Sequence, residues 1–240
     1  MANKFSRGIF RGGRNVLGYG QIEPNQVWFT RAGMIEAQCK LDPECFSDTQ
    51  VMPEVKYAAA AGGNPATKIV AQNGAFLMVD KANHIATIPN KTMSDAGFPI
   101  GINYSTELMY DERTPGRRNF YLTTQNWWPR IGYVEPGMRI TTNTVQWVAT
   151  TIENDGDGGG LTLTDAMTSE EVWAAVNTFL RSGAKTPIYA FVTDESDGEL
   201  VIGEKVANAI GNVYAQVVKA YCNADGTLSF MFQFINKPVA

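Results

Sequence analysis

The chain has 240 residues, 44% of them apolar and 18% charged, with a formal net charge of -4. Such an apolar content supports a packed core in one large or two small domains and excludes a disordered tail, while the acidic balance argues against nucleic acid as the main partner of the whole surface. Three cysteines, Cys39, Cys45 and Cys222, cannot all pair within one chain, so assembly in a reducing cytoplasm is expected in place of secretion.

No apolar run reaches membrane-spanning length, and the first residues lack the apolar core of a signal peptide. No membrane partner is expected, and the sequons at Asn90 and Asn103 are read as chance. The first 22 residues form the first compositional anomaly. Lys4, Arg7, Arg11 and Arg14 all precede the first acidic residue, Glu23, and Gly8, Gly12, Gly13, Gly18 and Gly20 are spread among them. At about 1 kcal/mol per glycine a helix is disfavoured there, and Phe5, Ile9, Phe10, Val16, Leu17 and Tyr19 are too apolar for a purely solvated tail. Residues 1–22 are therefore expected to be an extended basic arm that docks on another surface. Lys4, Phe5, Arg7, Phe10, Arg11 and Arg14 are its contact residues. The rest of the chain keeps 16 basic against 24 acidic residues, so a neighbouring copy is a suitable acidic surface. The alternative is a frayed basic terminus with no partner.

Gly33 to Leu41 alternates apolar with polar residues, which predicts a strand with Cys39 facing inward. Pro43, Ser47, Asp48 and Pro53 mark a connection. Residues 58–65 read as a loop, with a short helix over 54–61 as the other reading. Residues 68–72 and 75–79 flank Asn73-Gly74, a hairpin signal, because Asn-Gly favours the turn that matches strand twist. Strands are predicted over 102–110 and 119–124, joined by the charged connection 111–118, which reads as a solvated tip or as a contact loop.

The stretch 127–152 reads most plainly of all. A short apolar strand, a Pro136-Gly137 turn and a long Thr, Val and Ile-rich run predict a β-hairpin, because Pro presets the first corner and Gly tolerates the second. Residues 154–160 alternate acids with glycines, but a calcium loop opening at Glu153 or Asp155 would need Glu at its twelfth place, where Thr164 or Ala166 stands. One helix is expected over 169–182: Thr168-Ser-Glu-Glu171 has capping-box spacing, Val172, Ala175, Val176, Phe179 and Leu180 share a face, and Gly183 offers a stop. Strands follow at 188–193, 199–202, 213–222 and 227–235, the last two joined by a turn at Asn223 to Gly226.

Residues 73–85 resemble 197–210 with one insertion. Tyr104 to Phe120 and Tyr214 to Phe230 have equal separation, so two similar β units, about 64–124 and 184–236, are one reading. The other is that antiparallel hairpins look alike.

Candidate sites are few. His84 lacks an acid or thiol at a useful spacing and reads as a satisfied structural residue. Asp194, Glu195 and Asp197 lie on a turn, where acids serve solubility more often than acid-base chemistry. Arg11-Gly-Gly-Arg14 is not a phosphate loop, since no strand precedes it and no helix follows. Trp127 and Trp128, with Tyr121, Tyr133 and Trp147 nearby, could stack on a sugar. Adjacent strand residues face opposite ways, so one of the two is expected outside as an interface anchor or glycan contact. Neither a cofactor nor a metal is expected, and no enzyme, because every catalytic constellation lacks a partner.

The glycine-rich basic start from Met1 to Gly20, the Asn73-Gly74 pair, Gly101-Ile-Asn-Tyr-Ser-Thr106 and the run Arg130 to Asn143 together resemble structural proteins of tailed-bacteriophage virions, especially the cement or decoration proteins of the capsid. That resemblance covers about half of the chain through patterns and carries no catalytic residue. It implies a non-enzymatic β-barrel or sandwich, assembled in the host cytoplasm, present in many copies in the virion and bridging subunits. Its partners would be the major capsid protein and copies of itself, without specific nucleic-acid binding. The expected fold is mainly β, an antiparallel barrel or sandwich, with an arm at 1–22, a β-rich body at 23–240 and one amphipathic helix. The alternative function is a carbohydrate-binding β module that uses an exposed Trp.

Overall fold

The computed structural model describes residues 3–4, 27–29, 35–36, 39–42, 45–47, 69–71, 74–104, 129–154, 159–222 and 228–238. Among these residues the fold is mainly β, built on two curled sheets and two α-helices. In chain order the first strands are β1 (Asn3–Lys4), β2 (Val27–Phe29), β3 (Ile35–Glu36), β4 (Lys40–Leu41), β5 (Cys45–Ser47), β6 (Ile69–Ala71), β7 (Phe76–Asp80) and β8 (Ile85–Thr87). Helix α1 (Lys91–Asp95) leads to β9 (Ile100–Asn103), β10 (Ile131–Gly132), β11 (Arg139–Thr142), β12 (Val145–Trp147), β13 (Thr150–Ile152) and β14 (Leu161–Leu163). Helix α2 (Ser169–Arg181) is followed by β15 (Tyr189–Thr193), β16 (Leu200–Ile202), β17 (Ala209–Cys222) and β18 (Leu228–Phe234). The large sheet runs β1-β12-β16-β15-β17-β18-β11-β2 and the small one β3-β10-β9-β7-β8-β4, while β13-β14 and β5-β6 form separate pairs.

Chain connectivity requires the curling. Strands β11 and β12 are separated by four others in the large sheet, which would put them roughly 24 Å apart if it were flat. Only Asn143 and Thr144 join them, and that link spans at most about 11 Å. The sheet must therefore bend until β11 and β12 nearly meet. The same argument holds for the small sheet, whose edge strands β3 and β4 are joined by residues 37–39 alone.

The β17–β18 hairpin forms where the sequence predicts it, and a bulge explains how its pattern survives. Val217 pairs with Phe232 but Lys219 pairs with Met231, so Val218 is an extra residue. Without it, strict alternation from Val213, Ala215 and Val217 would bring Lys219 to the buried face. With it, Lys219 stays exposed and Ala220 joins the core beside Phe230. Phe230, Phe232 and Phe234 all face inward. Each such ring contributes about 1.5–3 kcal/mol through burial.

Helix α2 carries both bonds of its capping box. The Thr168 side chain accepts from the Glu171 N–H, and the Glu171 carboxylate accepts from the Thr168 N–H at 2.7 Å. Its buried face, Val172, Val176 and Phe179, joins the core of the large sheet together with Leu161 and Leu163 of the β13–β14 pair. Phe76 and Ile102 of the small sheet enter that same core, while Leu77, Val79, Ala86, Ile88, Ile131, Cys39 and Leu41 fill a second one. Strand β7 thus alternates between two cores, and Phe76 meets Phe234 edge-on with ring centroids 6.0 Å apart.

Several local expectations are corrected. The Pro136-Gly137 turn exists, with Gly137 at φ +92° and the Met138 N–H donating to the Glu135 carbonyl at 3.0 Å. It does not close a hairpin: β10 pairs with β3 and β9, and β11 pairs with β18 and β2, so the turn carries the chain from one sheet to the other. The long run after it breaks into β11, β12 and β13, each with different partners. Likewise β6 does not pair with β7 across Asn73-Gly74; it lies parallel to β5. Gly74 has φ +88°, but its deeper reason is space, since a Cβ would lie 2.6 Å from Thr142 Oγ1. Three strand pairs, β12·β16, β4·β8 and β5·β6, are parallel within the expected antiparallel fold.

The helix α1 was not expected. Asn90, read only as a chance sequon, is its N-cap and accepts from the Met93 N–H at 2.8 Å. The other sequon residue, Asn103, is fully buried in β9. Cys39 and Leu41 are buried with Lys40 exposed between them, as the alternation predicts.

The proposed repeat leaves a mixed record. Gly74 and Gly198 both adopt positive φ and both precede a strand; the Asn83 amide donates to Asp80 at 2.7 Å and the Asn208 amide to Glu204 at 2.8 Å. The pairing differs, however, because β7 pairs directly with β8, whereas β15 intervenes between β16 and β17.

Candidate interaction edge

The corner between β11 and β12 is the most densely buried polar stretch of the described residues. Thr142, Asn143, Thr144 and Gln146 all lie within 2% exposure, with Val145 and Trp147 beside them at 1% and 3%. Sequence chemistry makes the corner possible: the Thr142 hydroxyl accepts from the Thr144 N–H at 3.1 Å, so a side chain serves backbone that has left the ladder. On β12 the neighbouring side chains then diverge to opposite faces. The Gln146 amide donates to the Ser196 carbonyl at 2.7 Å, and the Trp147 indole N–H donates to the Thr164 carbonyl at 3.1 Å. Strand β12 is therefore covered on both faces.

Its two edges are unequal. One runs parallel to β16 in the register Val145↔Leu200 to Trp147↔Ile202. The other is closed by β1 alone, antiparallel, with Asn3 opposite Trp147 and Lys4 opposite Gln146. Buried backbone groups need partners, so a two-residue strand from the beginning of the chain completes the hydrogen bonding of a strand otherwise fixed by the core. Strand β2 closes the opposite edge of the same sheet, on β11. Both flanks of the seam thus come from the first 29 residues.

Lys4 is the one expected contact residue that lies within the described residues, and it sits on the protein's own sheet. That part of the arm belongs to the body of the fold, and the arm boundary drawn at residue 22 does not separate it from the sheet. Phe5, Arg7, Phe10, Arg11, Arg14, Trp127 and Trp128 lie outside the described residues, as do most of the acid and glycine loop 155–158, Tyr121 and the charged connection 111–118.

Other candidates make contacts within the fold. His84 has φ +55° in the turn after β7. There the Asn83 side chain and backbone N–H, then the Ala82 N–H, hold the Asp80 carboxyl below its usual value of 3.8. Asp194 accepts from the Lys91 N–H at 2.6 Å and so caps α1 from a different element. Ser196 is fully buried and its hydroxyl donates to the Thr193 carbonyl. Tyr133 is half-buried with Lys81 Nζ 5.5 Å from its ring centre, and Trp147 is inside the core with its donor engaged. Trp147 therefore offers no open stacking face. Among the described residues no three His, Cys, Asp or Glu side chains are grouped to hold a metal.

The interaction edge was missed by sequence reasoning, which read Val145 to Trp147 as the middle of one long strand. The usable signal was Thr142-Asn143-Thr144, three short polar residues that interrupt the apolar pattern and can bond their own backbone. No protein family, no curated protein and no solved structure matches the chain.

Proposed function

We propose that the protein is a non-enzymatic structural component of a tailed-bacteriophage virion, a cement or decoration protein that bridges capsid subunits through its N-terminal segment. The observation that carries this reading is β1, because a short terminal strand closes the edge of a strand buried on both faces. Main-chain pairing at a sheet edge is a general way for one polypeptide to clasp another. The stretch that resembles virion proteins, Arg130 to Asn143, crosses between the two sheets and ends at this same corner. In this reading the curled sheets are a rigid scaffold, and the charges at Arg7, Arg11 and Arg14 meet carboxylates on the capsid or on a neighbouring copy.

Mass spectrometry of gradient-purified virions that encode the chain should find it in many copies. Deleting residues 1–20 should leave a folded body that no longer binds capsids in cosedimentation. Absence from the virions, or capsid binding unchanged by the deletion, overturns the reading.

A further inference from the structure

We draw no further inference here: the strongest candidate, the half-buried patch around Tyr189 of β15 and Met231 of β18 on the face of the large sheet turned away from its core, carries none because nothing among the described residues shows what would cover it.

Discussion

Replacing Gly198 with Ala tests whether the loop from Thr193 to Glu199 welds the two sheets together. Gly198 has φ +81°, and an added Cβ would run into the Phe76 carbonyl oxygen, with Phe76 C and N both at 3.2 Å. The Phe76 N–H also donates to the Gly198 carbonyl at 2.7 Å, so the obstacle is backbone and cannot rotate away. The left-handed conformation alone costs a residue with a Cβ about 1–2 kcal/mol, and a weakened backbone hydrogen bond adds about 1 kcal/mol. Displacing β7, which lines both cores, adds about 1–3 kcal/mol more, as overpacking does. A total near 4 kcal/mol follows. Gly137→Ala is the matched control: its φ is +92°, yet nothing lies within 4 Å of the added Cβ, so only the conformational cost of about 1–2 kcal/mol applies. In urea unfolding followed by circular dichroism, Gly198→Ala should lose about 2–3 kcal/mol more than Gly137→Ala. At about 2–4 °C per kcal/mol for a chain of this size, it should also melt roughly 5–10 °C lower than the control. Equal losses in the two variants would refute the claim that close approach at Gly198 joins the sheets.

Three further substitutions probe the local devices. Thr168→Ala should destabilise the protein by about 0.5–2 kcal/mol in urea unfolding at pH 7, since Thr168 caps α2. Because the Thr168 bonds lower the Glu171 pKa from 4.5, that part of the stability is present above the usual glutamate range and is lost as pH falls through the lowered value, so the difference between the two proteins should shrink in acid. Asn83→Ala should move the Asp80 carboxyl titration, read by NMR, upward toward 3.8, because the Asn83 side chain is the largest cause of its depression. The accompanying stability difference should be present at neutral pH and vanish as the pH falls below the aspartate range. Asp194→Ala should accelerate amide hydrogen exchange at Lys91 and its neighbours in α1 by about tenfold, since it removes the carboxylate that accepts from the Lys91 N–H. Unchanged exchange there would show that α1 does not depend on that contact.

How far the sequence reaches can be judged from the residues at its turns. The capping box of α2, the β17–β18 hairpin, the Pro136-Gly137 turn and the inward Cys39 were all legible because each is written within a few residues and acts through local backbone preference or a two-residue period. Within the interaction edge, only the unusual character of the N-terminal segment could be read. Its address on β12 could not, because the pairing of Lys4 with Gln146 spans 142 positions and rests on no local signal.

Tertiary structure decided where each turn leads. Pro136-Gly137 sets a sharp corner, yet neither its flanks nor those of Asn73-Gly74 pair with each other, because burial on both faces of β7 and β12, and of Ile140 and Thr142 on β11, rewards partners from distant parts of the chain more than a hairpin would. The bulge at Val218 is the same effect within one strand: the core takes Ala220 and returns Lys219 to solvent. Amino-acid order thus determined which residues turn, cap and face inward, through energies that act over a few bonds. Which strands meet, and the edge that β1 completes, was decided by the area two curled sheets can bury together, which depends on all the strands at once.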